Sequence, residues 1–451
     1  MKKSKKIVFA LGLIIIALVI TPFLVPTERF IQQVEHIAAE KLGVPVTITS
    51  GHLRFLPSPR LVASGIVVGE NQDVMFDQLI IVPTLSSVFS ETKQVEIKVI
   101  KPIIKKSALS MVAALTANKP EKAEIAAVNV RHIHIKEIQF IWPDIKMPLI
   151  DADILLTSSN QLDSAVIESA DGKLKADITP QEDAHLVTLN VDKWTLPIGL
   201  PLLIDKAKLV MQLKGNQLTI PDIDATLYGG KLTGNAQLNW SEGKGIDNWK
   251  TKGLLKFDGV AVKQPTRMVS QSVYLSGNLF ADGGFSASAK EASQLADRMQ
   301  ANFKFNIKNG VVHGLDLVKV ASLLIKQSQD GGETQFSAFS GLLNLSGQQY
   351  HLRDLNVISG LLTANGQVKI KPNKTLDGTG SVALKNSVSL VAIPLNVSGT
   401  VSKPVILPSK AALAGAVAGT AILGPGAGTS VGIKAAEALD SIKGLFGGDK
   451  K

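Results

Sequence analysis

The stretch LTANGQVKI, Leu362–Ile370, decides how this chain is read. With a period of two, Leu362, Ala364, Gly366, Val368 and Ile370 fall on one face. Thr363, Asn365, Gln367 and Lys369 fall on the other. That is the alternation of a strand with one apolar and one wet face. The glycine in the middle of the apolar face needs a reason, because a branched side chain there would stabilise the strand more.

Short alternating runs dominate from Val44 onward. LTGNAQLNW (232–240), NFKFNIK (302–308) and LNVSGTV (395–401) alternate without a break, and AKLVMQL (207–213) and VYLSGNLF (273–280) nearly so. The run VNVRHIHIKEIQF (128–140) changes phase twice, which predicts bulges or a boundary. Helical periodicity is confined to SALSMVAALTA from Ser107, KEASQLADRM near Lys290 and DLVKVASLLIKQ from Asp316. NKPEKAE (118–124) reads as a linker.

Residues 215–238, GNQLTIPDIDATLYGGKLTGNAQL, align without gaps to 347–370, GQQYHLRDLNVISGLLTANGQVKI, at an offset of 132. Gly215 meets Gly347, Asp222 meets Asp354 and Ile223 meets Leu355. Gly234 meets Gly366, so the hole in the apolar face recurs, and similar glycines stand at Gly277 and Gly399. Two packings fit. In a β-sandwich, the facing sheet would carry a bulky residue opposite each glycine. In a sheet curled about its apolar face, small residues would relieve crowding on the concave side. The residues alone leave both open.

The chain has 451 residues, 38 of them glycine, and only 5% aromatic, which does not resemble a tightly packed enzyme core. It has no cysteine, excluding disulfides, iron–sulfur clusters and thiol catalysis. Of the net charge of +10, Lys2, Lys3, Lys5 and Lys6 contribute four. They precede the uncharged IVFALGLIIIALVITPFLVP (7–26), long enough for one transmembrane helix. No A-x-A-type cleavage site follows, so an uncleaved anchor is favoured over a signal peptide. The positive-inside rule places residues 1–6 in the cytoplasm and those beyond about 27 outside it, in a bacterium the periplasm. TERFIQQVEHIAAEKLG (27–43) then reads as a juxtamembrane helix capped by Thr27, with Phe30, Val34, Ile37, Ala38 and Leu42 on one face and Gly43 as its stop.

Candidate chemistry is sparse. His132 and His134 share a strand face, but without a third nearby ligand no metal site is expected. Asp151/Asp153 and Asp222/Asp224 read as wet-face pairs, and the recurrence of Asp222 as Asp354 as turn or cap chemistry. There is no nucleophile elbow, phosphate loop or dinucleotide fingerprint, so neither an enzyme nor a cofactor is expected. Lys98, Lys101, Lys105 and Lys106 read first as a solvated basic edge and second as an attraction for anionic headgroups, and no nucleic-acid partner is expected. In the tail, AALAGAVAGTAIL (411–423) is too short to span a bilayer, and Val431, Ala435, Ala438, Ile442 and Leu445 align along one helix face. A cap over the last strand edge is the simpler reading of 409–451, and a contact with the outer membrane or an envelope partner is the other.

NFKFNIKNGVVHGLDLVKVASLL (302–324) and TQFSAFSGLLNLSGQQYHLRDLNVISG (334–360) resemble the AsmA family. So do LTANGQVKI, LDGTGSVAL (376–384) and IPLNVSGTVSKPVILP (393–408), with its G-T-x-x-x-P ending. AAEKLGVPVTITSGHLRFLPSPRLVASGIVVG (38–69) resembles the family's opening. The resemblance covers about 27–105 and 253–408 and is weak between. It implies a mainly β fold: a long, curled antiparallel sheet forming a groove, with a few short helices, after one transmembrane helix. The implied regions are 44–125, 126–252 and 253–408, the first and last AsmA-like and the middle one a groove, followed by the tail. The implied role is inner-membrane-anchored, periplasmic transfer of phospholipid toward the outer membrane. The groove lining it implies is Leu232, Gly234, Ala236, Leu238, Gly277, Leu362, Ala364, Gly366, Val368, Ile370 and Gly399. The rival is an assembly factor for outer-membrane proteins that carries no lipid.

Overall fold

Short alternating runs joined by tight turns give a mainly β fold, with 67% of the described residues in strands and 10% in helices. The computed structural model describes residues 27–84, 93–108, 128–142, 146–197, 200–241, 248–322, 332–385, 392–414 and 433. The apolar segment 7–26, the linker 118–124 and most of the tail lie outside these. Among the described residues no helix is long and apolar enough to cross a membrane. The chain divides into two compact units, residues 1–198 with 208–215, and 199–207 with 216–451.

The first unit opens with α1 (Thr27–Leu42), ended by Gly43 at φ 64°, a conformation glycine adopts without penalty. Ala38 and Leu42 of its expected apolar face pack on Val46, Ile66 and Val68. Strands β1 (Val46–Arg54), β2 (Arg60–Val68) and β3 (Val74–Pro83) form an antiparallel meander, and β3 also pairs with β4 (Lys93–Ile100) and β5 (Ile103–Lys105). Strand β6 (Val128–Ile141) departs from the antiparallel expectation: it runs parallel to β4 and β5. A parallel neighbour needs a crossover of about a dozen residues or more, and the chain between β5 and β6 is long enough to supply it. The two phase changes expected in β6 are present, as register shifts against β4 and against the next strand. Strands β7 (Ile150–Leu156), β8 (Leu162–Ser169), β9 (Leu174–Pro180) and β10 (His185–Thr195) continue as an antiparallel meander. Strand β11 (Leu203–Lys214) falls partly in each unit.

In the second unit every strand pairs antiparallel with the next. They are β12 (Gln217–Leu227), β13 (Gly230–Trp240), β14 (Trp249–Ala261), β15 (Tyr274–Ala289), β16 (Gln300–His313) and β17 (Glu333–Ser346). Then follow β18 (Gln349–Ile358), β19 (Leu362–Ile370), β20 (Leu376–Leu384), β21 (Ile393–Thr400) and β22 (Lys403–Pro408). Helix α2 (Lys263–Val269) packs on β15, and α3 (Leu317–Ser322) touches β17, β20 and β22. A flat sheet would hold β17 and β22 about 24 Å apart, five spacings of ~4.8 Å. A six-residue helix is only about 9 Å long. The sheet of this unit therefore bends around α3. All strands of each unit belong to one sheet, so the two-sheet sandwich is not the fold.

The repeat is a bulged strand pair. Register shifts between Ile220 and Ile223 in β12 and between Leu352 and Leu355 in β18, again 132 positions apart. Ile223 faces Gly234 and Leu355 faces Gly366. Asp222 and Asp354 sit inside these bulges, not in turns or caps, and Asp354 has φ 50°, which aspartate tolerates better than most residues. The segment near Lys290 also departs from its helical expectation. It forms two 3₁₀ turns, Ala292–Gln294 and Ala296–Arg298, instead of an α-helix. Neither has a side-chain cap at its start or a buried residue, so nothing offsets the cost of nucleating an α-helix.

Candidate functional site

Pairing register turns strand alternation into continuous rows across a sheet. In the second unit one row starts at Ile223 and passes through Gly234, Leu255, Gly283, Phe303 and Leu343. It continues through Leu352, Val368 and Gly378 to Val397 and Ile406. No polar side chain interrupts it from β12 to β22. Every member is half-buried, and Ile406 at the far end packs against the core that contains Leu317 and Val320 of α3. The next row, from Ile220 through Ala236, Gly253, Phe285 and Ala301 to Leu345, Tyr350 and Ile370, has the phenol as its one polar group. The opposite face is mostly wet: Thr233, Lys256, Asp282, Lys304 and Arg353 share one of its rows with Leu342.

The first unit has the same construction. From Ala63 a row runs through Leu79, Val99, Ile135, Ala152, Ile167 and Ala176 to Leu189. A parallel one joins Leu61 to Val187 through Ile81, Ile97, Ile133, Ile154, Ala165 and Ile178. The sequence does not show that these residues share a row. Their own strands alternate only moderately well, and the rows exist only through the pairing.

The expected lining residues are placed as follows. Leu232, Gly234, Ala236 and Leu238 share the apolar face of β13, and Leu362, Ala364, Gly366, Val368 and Ile370 share that of β19. Burial falls along β19, from fully buried Leu362 and buried Ala364 to half-buried Val368 and Ile370. The buried end belongs to a closed core with Val382, Ile393, Leu317 and Val320 of α3, and Ile433, which alone of the tail beyond residue 414 is described. Gly277 lies in a bulge of β15 and Gly399 pairs with Pro404 on β22. The apolar face of this unit is thus filled at one end and open toward Leu238, Leu345 and Ile370.

The glycines have a backbone reason. A Cβ on Gly366 would lie 2.7 Å from the carbonyl oxygen of Thr379, and one on Gly234 2.0 Å from that of Leu254. At Gly253 and Gly283 the nearest atoms are again carbonyl oxygens, of Asn235 at 2.4 Å and Asn302 at 2.0 Å, and packing adds a second reason. The ring of Phe285 lies 2.7 Å from the Cβ position of Gly253, and that of Phe303 2.7 Å from that of Gly283. Each ring covers the glycine on the neighbouring strand, a known way of stabilising glycine in sheets.

Charged groups stay off these rows. Two open depressions of about 710 and 740 Å³ share Lys252, Ser286 and Gln300, and the first also takes in Ile220, Ala236, Gly253 and Phe285 of the second apolar row. Asp151 bonds Lys136 at 2.7 Å and accepts the backbone N–H of Glu137 at 2.8 Å. Partial burial works against its charge, but these partners outweigh it and hold the carboxyl below its ordinary range. The Lys105 ammonium donates to the Asn71 carbonyl at 2.9 Å. His132 and His134 both bond one carboxylate, Asp153.

No curated protein matches the chain. Residues 157–354 match the AsmA family model, from β8 to the bulge of β18, including the middle segment where the resemblance in sequence is weak. That match supports assigning the chain to the AsmA family.

Proposed function

We propose that the apolar sheet faces hold the acyl chains of phospholipid while the headgroup stays in water, and that the protein carries lipid between the two membranes of a bacterial envelope. The observation that carries this reading is the half-buried row from Ile223 to Ile406, apolar in all eleven strands. Exposing one sixteen-carbon chain to water costs about 12 kcal/mol at ~0.8 kcal/mol per methylene, so a dry path is the whole of the catalysis needed. Eleven strands at ~4.8 Å give this row a span of about 48 Å, comparable to the thickness of a bilayer with its headgroups. On this reading residues 7–26 anchor the chain in the inner membrane, and both units lie in the periplasm. AsmA-family membership and the open apolar faces are compatible with it.

Site-specific photocrosslinking in cells tests the proposal. A photoreactive residue at Val368 or Leu255 is expected to yield phospholipid adducts, and one at Lys369 or Lys256 is not. Equal adducts from both faces, or none from either apolar position, would overturn it. Protein adducts in place of lipid would favour the assembly-factor reading.

A further inference from the structure

Away from the apolar face, β6 and β7 gather three side chains that ligate metals. His132 and His134 are two apart on β6, so both rings project to the wet side of the first unit. Asp153, on β7, pairs in register with His134. Its Oδ1 lies 2.6 Å from Nε2 of His132 and its Oδ2 2.6 Å from Nδ1 of His134. The ring centroids are 3.6 Å apart, and the three donor atoms lie within 4.8 Å of one another. The rings are about a quarter exposed (24% and 26%) and the carboxylate 48%, so an ion reaches them from solvent.

We propose that His132, His134 and Asp153 form a binding site for a borderline divalent cation of the zinc class, clamping β6 to β7 and leaving a fourth position for water. Two imidazole nitrogens and one carboxylate oxygen are a ligand set such ions take, with one position open. Tetrahedral bonds of about 2.0–2.1 Å set donors about 3.3 Å apart, so the ring contact to the ligating oxygen opens by about 0.7 Å while the other donor separations, now within 4.8 Å, adjust to the same value. As the contacts stand, each ring points an N–H at Asp153. Binding moves that proton to the other ring nitrogen, His132 becoming Nδ1–H and His134 Nε2–H, with no net change in a neutral ring. The charged groups facing the site are mixed. On β4, Glu96 stands in register with His132 and favours a cation, and exposed Lys98 stands in register with His134 and opposes one. Lys136 is already paired with Asp151.

The test titrates Zn²⁺ into the full-length, chelator-stripped protein by calorimetry. One tight equivalent is expected for the wild type. His134→Ala and Asp153→Asn should weaken it by more than the ~10–100-fold that loss of a merely supporting partner costs. Asp151→Asn, which removes the neighbouring carboxylate, should bind as the wild type does. Visible absorption of the Co²⁺ form reports a tetrahedral site independently, and His132→Gln, which keeps a similar volume, should abolish that spectrum while circular dichroism stays unchanged. Absence of a tight equivalent in the wild type would overturn the proposal and leave a carboxylate that merely bonds two histidines. So would retention of wild-type affinity in both His134→Ala and His132→Gln.

Discussion

At the scale of single residues, Gly366 shows how a sheet's own backbone selects a side chain. β19 and β20 approach so closely that a Cβ at this position would lie 2.7 Å from the Thr379 carbonyl oxygen and 3.1 Å from Cα of Gly380. Backbone cannot swing aside as a flexible side chain can. Gly366→Ala is therefore expected to destabilise the second unit by about 1–3 kcal/mol, the usual cost of overpacking. Gln367→Ala, one residue along on the exposed face, should stay within about 0.5 kcal/mol of the wild type. Urea unfolding of the two variants decides, and a Gly366→Ala protein as stable as the wild type would show that the strands can part. The hole in LTANGQVKI was visible in the sequence. Its cause was not, because the group it makes room for belongs to residue 379.

At the scale of elements, the turn joining β8 to β9 is held by its own polar groups. The buried Ser169 hydroxyl donates to Asp171 Oδ1 at 2.7 Å and accepts the Leu174 N–H at 2.9 Å. The Lys173 N–H also donates to Asp171, at 3.2 Å. The Ser169 hydroxyl, followed by the Lys173 backbone and side chain, holds the Asp171 carboxyl below its ordinary value. A folded-state value below the unfolded one favours folding once the unfolded group is ionised, above about pH 4. That contribution is lost as pH falls through the lowered folded value. Asp171→Asn should thus lower the melting temperature at pH 7 and pH 5 alike, and the gap to the wild type should narrow toward pH 3. A gap that did not shrink in acid would assign the effect to shape, not charge. Local elements were legible to the same degree that their causes are local. Strand alternation, the bulges of β6 and the glycine stop of α1 could be read directly. The parallel docking of β6 and the loss of helix at 292–298 could not, since both depend on what the rest of the chain offers them.

At the scale of the whole molecule, register is the quantity that the sequence hides. Leu255, Phe303 and Leu343 lie in separate strands with nothing to link them by eye, and pairing places them in one row. If that row carries lipid, a charge set in its middle should stop transport before it unfolds the protein. Leu255 is half-buried beside Gly234 and Gly283, so a carboxylate there retains some water and costs less than the several kcal/mol of full burial. The strands depend mainly on their neighbours, which confines the damage. Leu255→Glu is expected to keep its protease resistance and to lose most phospholipid adducts formed from a photocrosslinker at Val368, which lies on β19 with four strands between. Lys256→Glu places the same charge one residue along on the wet face and should leave the adducts intact. If the two variants behave alike, the row is not the path. If Leu255→Glu remains folded and its adducts persist at the wild-type level, acyl chains do not pass β14 on this face.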